Sequence, residues 1–181
     1  MRIGETYRRK GDLANSINAL QEGRKFLPDN PIILSTLAMV LDAAGRYTEA
    51  KPVYLAAIKL DPNNAVSLNN LAFLMAENNG ALDQALTMAQ RAKQLLPNLP
   101  EVSDTLGSIY LRKSLSTDAV DIIKDLVTKD PTSSTYHFHL AKAYFQQGDK
   151  LRAASQLQLA LKYSPVPNEK NQIQDLLMKS Q

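Results

Sequence analysis

The sequence predicts an all-α protein, an α-solenoid of stacked helical hairpins, on the basis of three observations. Residues 31–64 contain two segments with apolar or small side chains at positions i, i+3, i+4 and i+7, the spacing of an amphipathic helix. Gly45 interrupts this spacing between the two segments, which indicates a turn. Prolines that follow a helix-ending sequence recur along the chain at intervals of 34 or 35 residues, at Pro28, Pro62, Pro97, Pro131 and Pro165.

The composition excludes several classes of protein. No run of about 18 apolar residues is present, which predicts no membrane insertion. The N-terminus lacks the apolar segment of a secretion signal, and a cytoplasmic or a periplasmic location both stay open. The absence of cysteine rules out disulfides and thiolate metal sites. The net charge of +3 comes from interspersed acidic and basic residues, so we expect a solvated basic surface and no nucleic-acid partner.

The pattern of large and small residues in 31–64 resembles the tetratricopeptide repeat. Counting Pro31 as position 1, Leu34 stands where the family often has tryptophan. The resemblance covers nearly all of the chain, and it implies a right-handed solenoid of about five hairpins that binds other proteins without a cofactor. Six further residues stand at the positions where the family pattern has L, G, Y, A, F and P, either with the same residue or with a different one. They are, in order, Leu37, Ala38, Leu41, Ala50, Tyr54 and Pro62.

The repeats are expected to form a single array. The first repeat lacks its first four positions, which favours a fragment of a longer array. The third carries one extra residue, which we place in the turn Asn78-Asn79-Gly80. A narrow apolar stripe after the last repeat is typical of a capping helix. The array covers residues 1–181, with repeats at about 1–30, 31–64, 65–99, 100–133 and 134–167 and a capping helix over 168–180.

One side of each first helix is predicted to line a binding groove. A helix turns about 100° per residue, so repeat positions 2, 5, 9, 12 and 13 lie opposite the core positions 4, 7, 8 and 11. Stacked repeats join these sides into a concave surface, whose apolar residues are expected to anchor a peptide or helix of a partner protein. The candidates are Met39, Asp42, Asn69, Phe73, Glu77, Asp104, Ser108, Leu111, Arg112, Phe138, Lys142 and Phe145.

Core packing is the alternative explanation for the apolar candidates. Phe138 and Phe145 are better explained by contacts between neighbouring repeats, whereas Met39 and Phe73, at the central position 9, favour the groove.

Asn70 is a further candidate on the resemblance alone. Some family members use an asparagine at position 6 of the first helix to hold the backbone of a bound peptide. An amide offers both a donor and an acceptor to a peptide bond. The residues that complete the family's clamp for a C-terminal carboxylate are absent, because Met39, Glu101 and Thr105 occupy the neighbouring places. We therefore expect no binding of a C-terminal tail through that clamp.

No catalytic, metal or cofactor site is predicted. His137 and His139 lie two residues apart and face different sides of one helix, which makes them a poor metal pair. We expect them to be surface or partly buried histidines. No phosphate-binding loop, nucleophile motif or zinc motif occurs. The expected function is a non-catalytic scaffold for a protein or peptide partner.

Two alternatives to this function stay open. The uncapped first repeat could pack on a second molecule and form a homo-oligomer. The chain could also be the repeat portion of a larger bacterial protein associated with export or with exopolysaccharide, because residues 69–113 look like bacterial multi-repeat proteins. That similarity supports a bacterial source more than it supports one process.

Overall fold

The computed structural model describes residues 2–78 and 81–180, which form α-helices and short connections without a β-strand. The predicted all-α fold is confirmed. The insertion predicted at Asn79-Gly80 lies outside the described residues. The eleven helices of the described part are α1 (Arg2–Arg9), α2 (Leu13–Phe26), α3 (Pro31–Ala43), α4 (Tyr47–Leu60), α5 (Ala65–Glu77), α6 (Leu82–Leu95), α7 (Pro100–Arg112), α8 (Ser116–Lys129), α9 (Ser134–Gln146), α10 (Lys150–Lys162) and α11 (Pro167–Ser180).

Asparagine side chains fix the start of α3 and α5, the two helices that carry the groove candidates of the second and third repeats. Asn30 Oδ1 accepts hydrogen bonds of 3.0 Å from the backbone N–H groups of Ile32 and Ile33 in α3. Asn64 Oδ1 accepts one of 3.0 Å from Ser67 N–H in α5. These caps satisfy donors that the first turn of a helix leaves unpaired. Because each cap sets where its helix begins, it also sets which side chains face the groove.

The described turns inside the hairpins each contain one residue with a positive φ. Gly45 has a φ of 72°, and the next residue, Arg46, donates its N–H to Leu41 O at 2.9 Å. This bond pattern ends many helices and favours glycine, which has no Cβ to clash. Ser114 takes the same place between α7 and α8 with a φ of 57° and an equivalent hydrogen bond of 2.9 Å. The hairpin that lacks the usual glycine therefore keeps the same turn.

The chain divides into two compact units, Met1–Leu96 (unit 1) and Pro97–Gln181 (unit 2). In unit 1, helices α1 to α6 each pack on the next, and α3 also packs on α5. Ser67 Oγ donates a buried hydrogen bond of 2.9 Å to Ser35 Oγ across the α3–α5 contact. The first helices of two successive hairpins therefore lie side by side. A single array over residues 1–181 stays a prediction.

Unit 2 has two hydrophobic clusters. The first joins α7, α8, α9 and α10 around Ile123, and the second joins α9, α10 and α11 around Leu157 and Ile173. Helix α11 packs on both α9 and α10, the position expected of the C-terminal helix in the predicted fold. No helix among residues 2–78 and 81–180 has both the length and the apolar composition that a membrane crossing requires.

Candidate functional site

In unit 1, four candidate residues form neighbouring stripes on two helices in contact. Met39 and Asp42 are three residues apart on α3, and Asn70 and Phe73 are three apart on α5, so each pair lies on one helix face. Phe73 is 46% exposed, whereas Met39 is partly buried. We call the surface formed by these four residues the unit 1 groove. Phe73 is its exposed aromatic side chain.

Part of the unit 1 groove is a cleft of about 520 Å³. Such a volume lies in the range of ligand clefts in proteins. The apolar wall of the cleft comes from α2 and α3, and its polar side chains come from α1, α3, α4 and α5. The lining residues are Arg8, Leu13, Met39, Asp42, Ala43, Tyr54 and Asn70.

Asp42 is the acidic residue of this cleft. Its Oδ2 accepts a hydrogen bond of 3.4 Å from the Tyr54 hydroxyl, which also bonds to the side chain of Asn70. Burial raises the pKa of Asp42 above its usual value of 3.8, and the bond from Tyr54 opposes this shift. Burial and the charge of Asp42 together raise the pKa of Tyr54. Among the described residues, the only hydrogen-bond partner of the Asp42 carboxylate is therefore a neutral hydroxyl.

The cation that lines the cleft, Arg8, is already paired with Glu5. Arg8 Nε and Nη2 donate to the two Glu5 carboxylate oxygens at 2.8 and 2.7 Å, and Arg9 Nε donates to Glu5 at 3.1 Å. Hydrogen bonds from the two guanidinium groups lower the pKa of Glu5 to about 2. Helix α1 thus presents a cluster of charges that satisfy one another.

Asn69 and Glu77, the other two candidates in unit 1, are placed differently. Glu77 is exposed in the last turn of α5. Asn69 is only 8% exposed, and its Nδ2 donates to Asn70 Oδ1 at 3.2 Å. Asn69 Oδ1 has no hydrogen-bond partner within residues 2–78 and 81–180. We correct the assignment of Asn69: it lies below the groove surface and orients Asn70.

In unit 2, the candidate Asp104 is paired with a histidine. Asp104 Oδ1 lies 2.8 Å from His139 Nδ1, 35 residues along the chain. The spacing of residues along α9 could not indicate this pair, because Asp104 comes from α7 of the preceding hairpin. Ser108 is partly buried and Arg112 is exposed on the same helix as Asp104.

His137 is more buried than the sequence suggested. Its Nδ1 lies 2.6 Å from Gln156 Oε1, and its Nε2 lies 3.0 Å from Pro131 O. The imidazole stacks on Tyr163 with a distance of 5.6 Å between ring centroids. These contacts join α9 to α10 and to the connection that precedes α9. His137 therefore contributes to the packing of these elements.

Two groove candidates of unit 2, Leu111 and Phe138, are buried in the structure. Leu111 is 4% exposed and packs in the cluster around Ile123. Phe138 is also 4% exposed and packs with Leu157 and Ile173. The assignment of Leu111 to the groove is therefore wrong. For Phe138 the burial agrees with the packing alternative, although its ring also lines the cleft that contains Lys142 and Phe145. Neighbouring helices already cover these side chains, α9 in the first case and α11 in the second.

Lys142 and Phe145 line a second cleft, of about 330 Å³, between α9 and α11. Both side chains are partly buried. Lys142 Nζ lies 5.3 Å from the centroid of the Phe138 ring, within the range of a cation–π contact. The opposite wall of this cleft belongs to the C-terminal helix and was not among the predicted residues; it consists of Gln172, Asp175, Leu176 and Lys179.

Tyr54 lines the unit 1 cleft, although the repeat pattern indicates a core position for it. Its ring is fully buried, as the pattern predicts for the place where the family has phenylalanine. A buried tyrosine nevertheless needs a hydrogen-bond partner for its hydroxyl, and here that partner is Asp42. Tyrosine in place of phenylalanine was the available signal that a polar group lies nearby.

Sequence comparisons identify the repeats. Family models described as tetratricopeptide repeat match residues 31–64, 53–87 and 105–167. A TPR repeat-containing protein of Pseudomonas aeruginosa is 26% identical over 113 residues, which make up 62% of this chain and 19% of the relative. The chain therefore spans about a fifth of the length of that relative.

Solved structures of low sequence identity share the fold. MamA from Desulfovibrio magneticus RS-1, from residue 41 to its end, is similar with a TM-score of 0.79 and 20% identity, over 90% of this chain and 91% of that chain. A chain of the APC/C hetero-tetramer Cut9–Hcn1 is similar with a TM-score of 0.83 and 18% identity, over 98% of this chain and 35% of that chain. These structures share the fold, and the three repeat matches show that the chain belongs to the tetratricopeptide repeat family.

Proposed function

We propose that this protein is a non-catalytic scaffold whose unit 1 groove binds a peptide or helix of a partner protein. The fold supports a role in protein–protein interaction. The observation that carries the finer proposal is Phe73, an aromatic ring left 46% exposed beside the cleft residues of α3 and α5. Large apolar side chains exposed next to a cleft are a common feature of interaction sites.

The polar residues around Phe73 are suited to set the orientation of a bound chain. The Asn70 amide offers a donor and an acceptor to a peptide backbone, and Asn69 and Tyr54 hold it in place. We assign Glu77 to partner selectivity, since it is exposed on α5. One structural neighbour, Cut9–Hcn1, is a hetero-tetramer, which supports partner binding by this fold.

Phe73→Ala is expected to weaken binding of the partner protein about tenfold or more, because truncation of an anchor residue typically costs more than 1 kcal/mol of binding free energy. Since nearly half of the ring is exposed, the free energy of unfolding should change by less than about 1 kcal/mol. The measurement compares wild type and variant as bait in an affinity pull-down. Titration of the captured protein then gives Kd, and urea denaturation gives stability.

Leu151→Ala is the matched control for this experiment. Leu151 is an almost fully exposed apolar residue on α10, and its truncation should leave binding unchanged. Equal affinity of the partner for wild type and Phe73→Ala would contradict the groove proposal. A parallel loss of binding and of stability would place Phe73 in the core.

Self-assembly is a second candidate function, and the exposure of one residue on α1 favours it. Ile3 is 66% exposed. Its position in the repeat is 7, and the leucines at that position in the other four repeats are at most 4% exposed. The apolar side chain at repeat position 7 is thus exposed to solvent in the first repeat and buried in each of the following ones. Those four leucines are Leu37, Leu71, Leu106 and Leu140.

If α1 packs on a second molecule, Ile3→Asp should abolish any increase of mass with concentration, because a charge replaces the apolar contact. Multi-angle light scattering across a concentration series measures this mass. Leu151→Asp introduces the same charge on another exposed apolar residue and should leave the mass profile unchanged. A wild-type protein that stays monomeric at the highest concentration would contradict the proposal of self-assembly through α1.

A further inference from the structure

Asp42 is a carboxylate with little to offset its burial. A carboxylate that loses hydration is normally stabilised by a positive charge or by several strong donors. Asp42 has one donor among the described residues, the Tyr54 hydroxyl, and the bond is long at 3.4 Å. The raised pKa of Asp42 agrees with this geometry, since burial is its largest cause. Within residues 2–78 and 81–180, no positively charged group bonds to the Asp42 carboxylate.

Arg8 does not fill this role, although it lines the same cleft. Its guanidinium forms two hydrogen bonds with Glu5, of 2.8 and 2.7 Å, a paired geometry that satisfies both groups. Burial raises the pKa of Asp42 and the hydrogen bond from Tyr54 lowers it, with no contribution from Arg8. The charge of Asp42 therefore stays available to a group from outside the unit.

The walls of the cleft suit a long side chain with a charge at its tip. Leu13, Met39 and Ala43 supply apolar surface on the same cleft as the Asp42 carboxylate. Lysine and arginine pack their aliphatic stems on such a surface while their charged groups reach a polar one. A neutral backbone amide could donate a hydrogen bond to Asp42, but it would leave the charge without a partner.

We propose that the Asp42 cleft receives a lysine or arginine side chain of the partner protein, next to an apolar side chain of the same segment that packs on Phe73. This assignment rests on the function proposed above, and it adds the chemistry of the partner, a basic residue beside a large apolar one. Binding places a positive charge against Asp42, while Tyr54 and Asn70 keep the carboxylate in position.

The test is a selection of random peptides displayed on phage against the full chain. Wild type, Asp42→Asn and Phe73→Ala are the targets. Asparagine keeps the shape of the aspartate and one acceptor oxygen but removes the charge. Asp121→Asn removes the same charge from an exposed position on α8 and is the matched control. Circular dichroism of each variant checks that it is folded.

Peptides selected on wild type should carry lysine or arginine beside an apolar residue. Their affinity should fall about tenfold or more on Asp42→Asn, in line with the loss of a charged hydrogen bond, and stay unchanged on Asp121→Asn. Replacing the basic residue of a peptide by norleucine should give a similar loss on wild type and no further loss on Asp42→Asn, the result of a direct pair. The peptide substitution tests the pair even if Asp42→Asn does not fold.

Other outcomes separate this inference from the proposed function. Peptides that need Phe73 but show no enrichment in basic residues, or that lose no affinity when the basic residue becomes norleucine, would overturn the inference and leave the groove in place. Peptides that bind equally well to wild type and Phe73→Ala, or a selection that yields none, would overturn both.

Discussion

We expect Phe138→Ala to lower the free energy of unfolding by about 3–5 kcal/mol, the usual cost of removing a phenylalanine from a packed core. Phe138 is in contact with Leu157 of α10 and Ile173 of α11. Protein cores are packed closely, so truncation leaves a cavity that three helices can close only by moving. Urea denaturation followed by circular dichroism measures the effect.

Phe73→Ala provides the matched comparison, because the chemical change is identical and the ring is exposed. The loss of stability should then be less than about 1 kcal/mol. The difference between the two variants tests which phenylalanine is core and which faces a partner. A small loss for Phe138→Ala would show that α11 does not cover this ring in solution, and Phe138 would return to the groove.

Gly107→Ala is expected to destabilise unit 2 by about 1–3 kcal/mol, the usual range for adding a methyl group to a filled core. A Cβ at this position would lie 2.7 Å from Ile123 Cγ1 and 3.3 Å from Ile122 Cγ2. Ile123 is completely buried in the cluster that joins α7, α8, α9 and α10, so its side chain can shift only by displacing its neighbours. Without this contact, alanine would stabilise the helix relative to glycine by about 1 kcal/mol. The measurement is again urea denaturation.

Gly23→Ala tests the same substitution where space is available. Gly23 lies inside α2, and the nearest atom to an added Cβ is Ile33 Cδ1, at an ordinary contact distance of 3.9 Å. This variant should be more stable than wild type by about 0.5–1 kcal/mol. If both alanine variants stabilised the protein, the close approach of α7 and α8 at Gly107 would be wrong.

The helices were predictable because their signals are local and repeated. Leu37 and Tyr54 occupy positions whose burial follows from the helical period, and both are buried. The turn at Ser114 was harder to place because serine rarely adopts a positive φ. There the backbone hydrogen bonds that end α7, from Ser114 N–H to Leu111 O and from Leu115 N–H to Tyr110 O, hold the serine in this conformation.

The site was less predictable because repeat position tells only which way a side chain points. Phe73 and Phe138 were both assigned to the groove side of their helices. What covers that side depends on the neighbouring elements: α11 lies over Phe138, while Phe73 stays exposed. For the bond between Tyr54 and Asp42, the tyrosine signals a nearby polar group, but the sequence does not name the partner, because the bond joins a core position of one helix to a groove position of another.

In each unit every helix packs on the next one along the chain. Contacts of this kind close only short loops, so each unit should reach its native state quickly for its size. Nearest-neighbour packing also keeps the effect of a destabilising substitution local. A substitution in one hairpin lowers the stability of that hairpin and of the hairpins beside it before it affects the others. A lineage could thus alter the surface of a single hairpin, and with it the choice of partner, while the remaining hairpins keep their folded form.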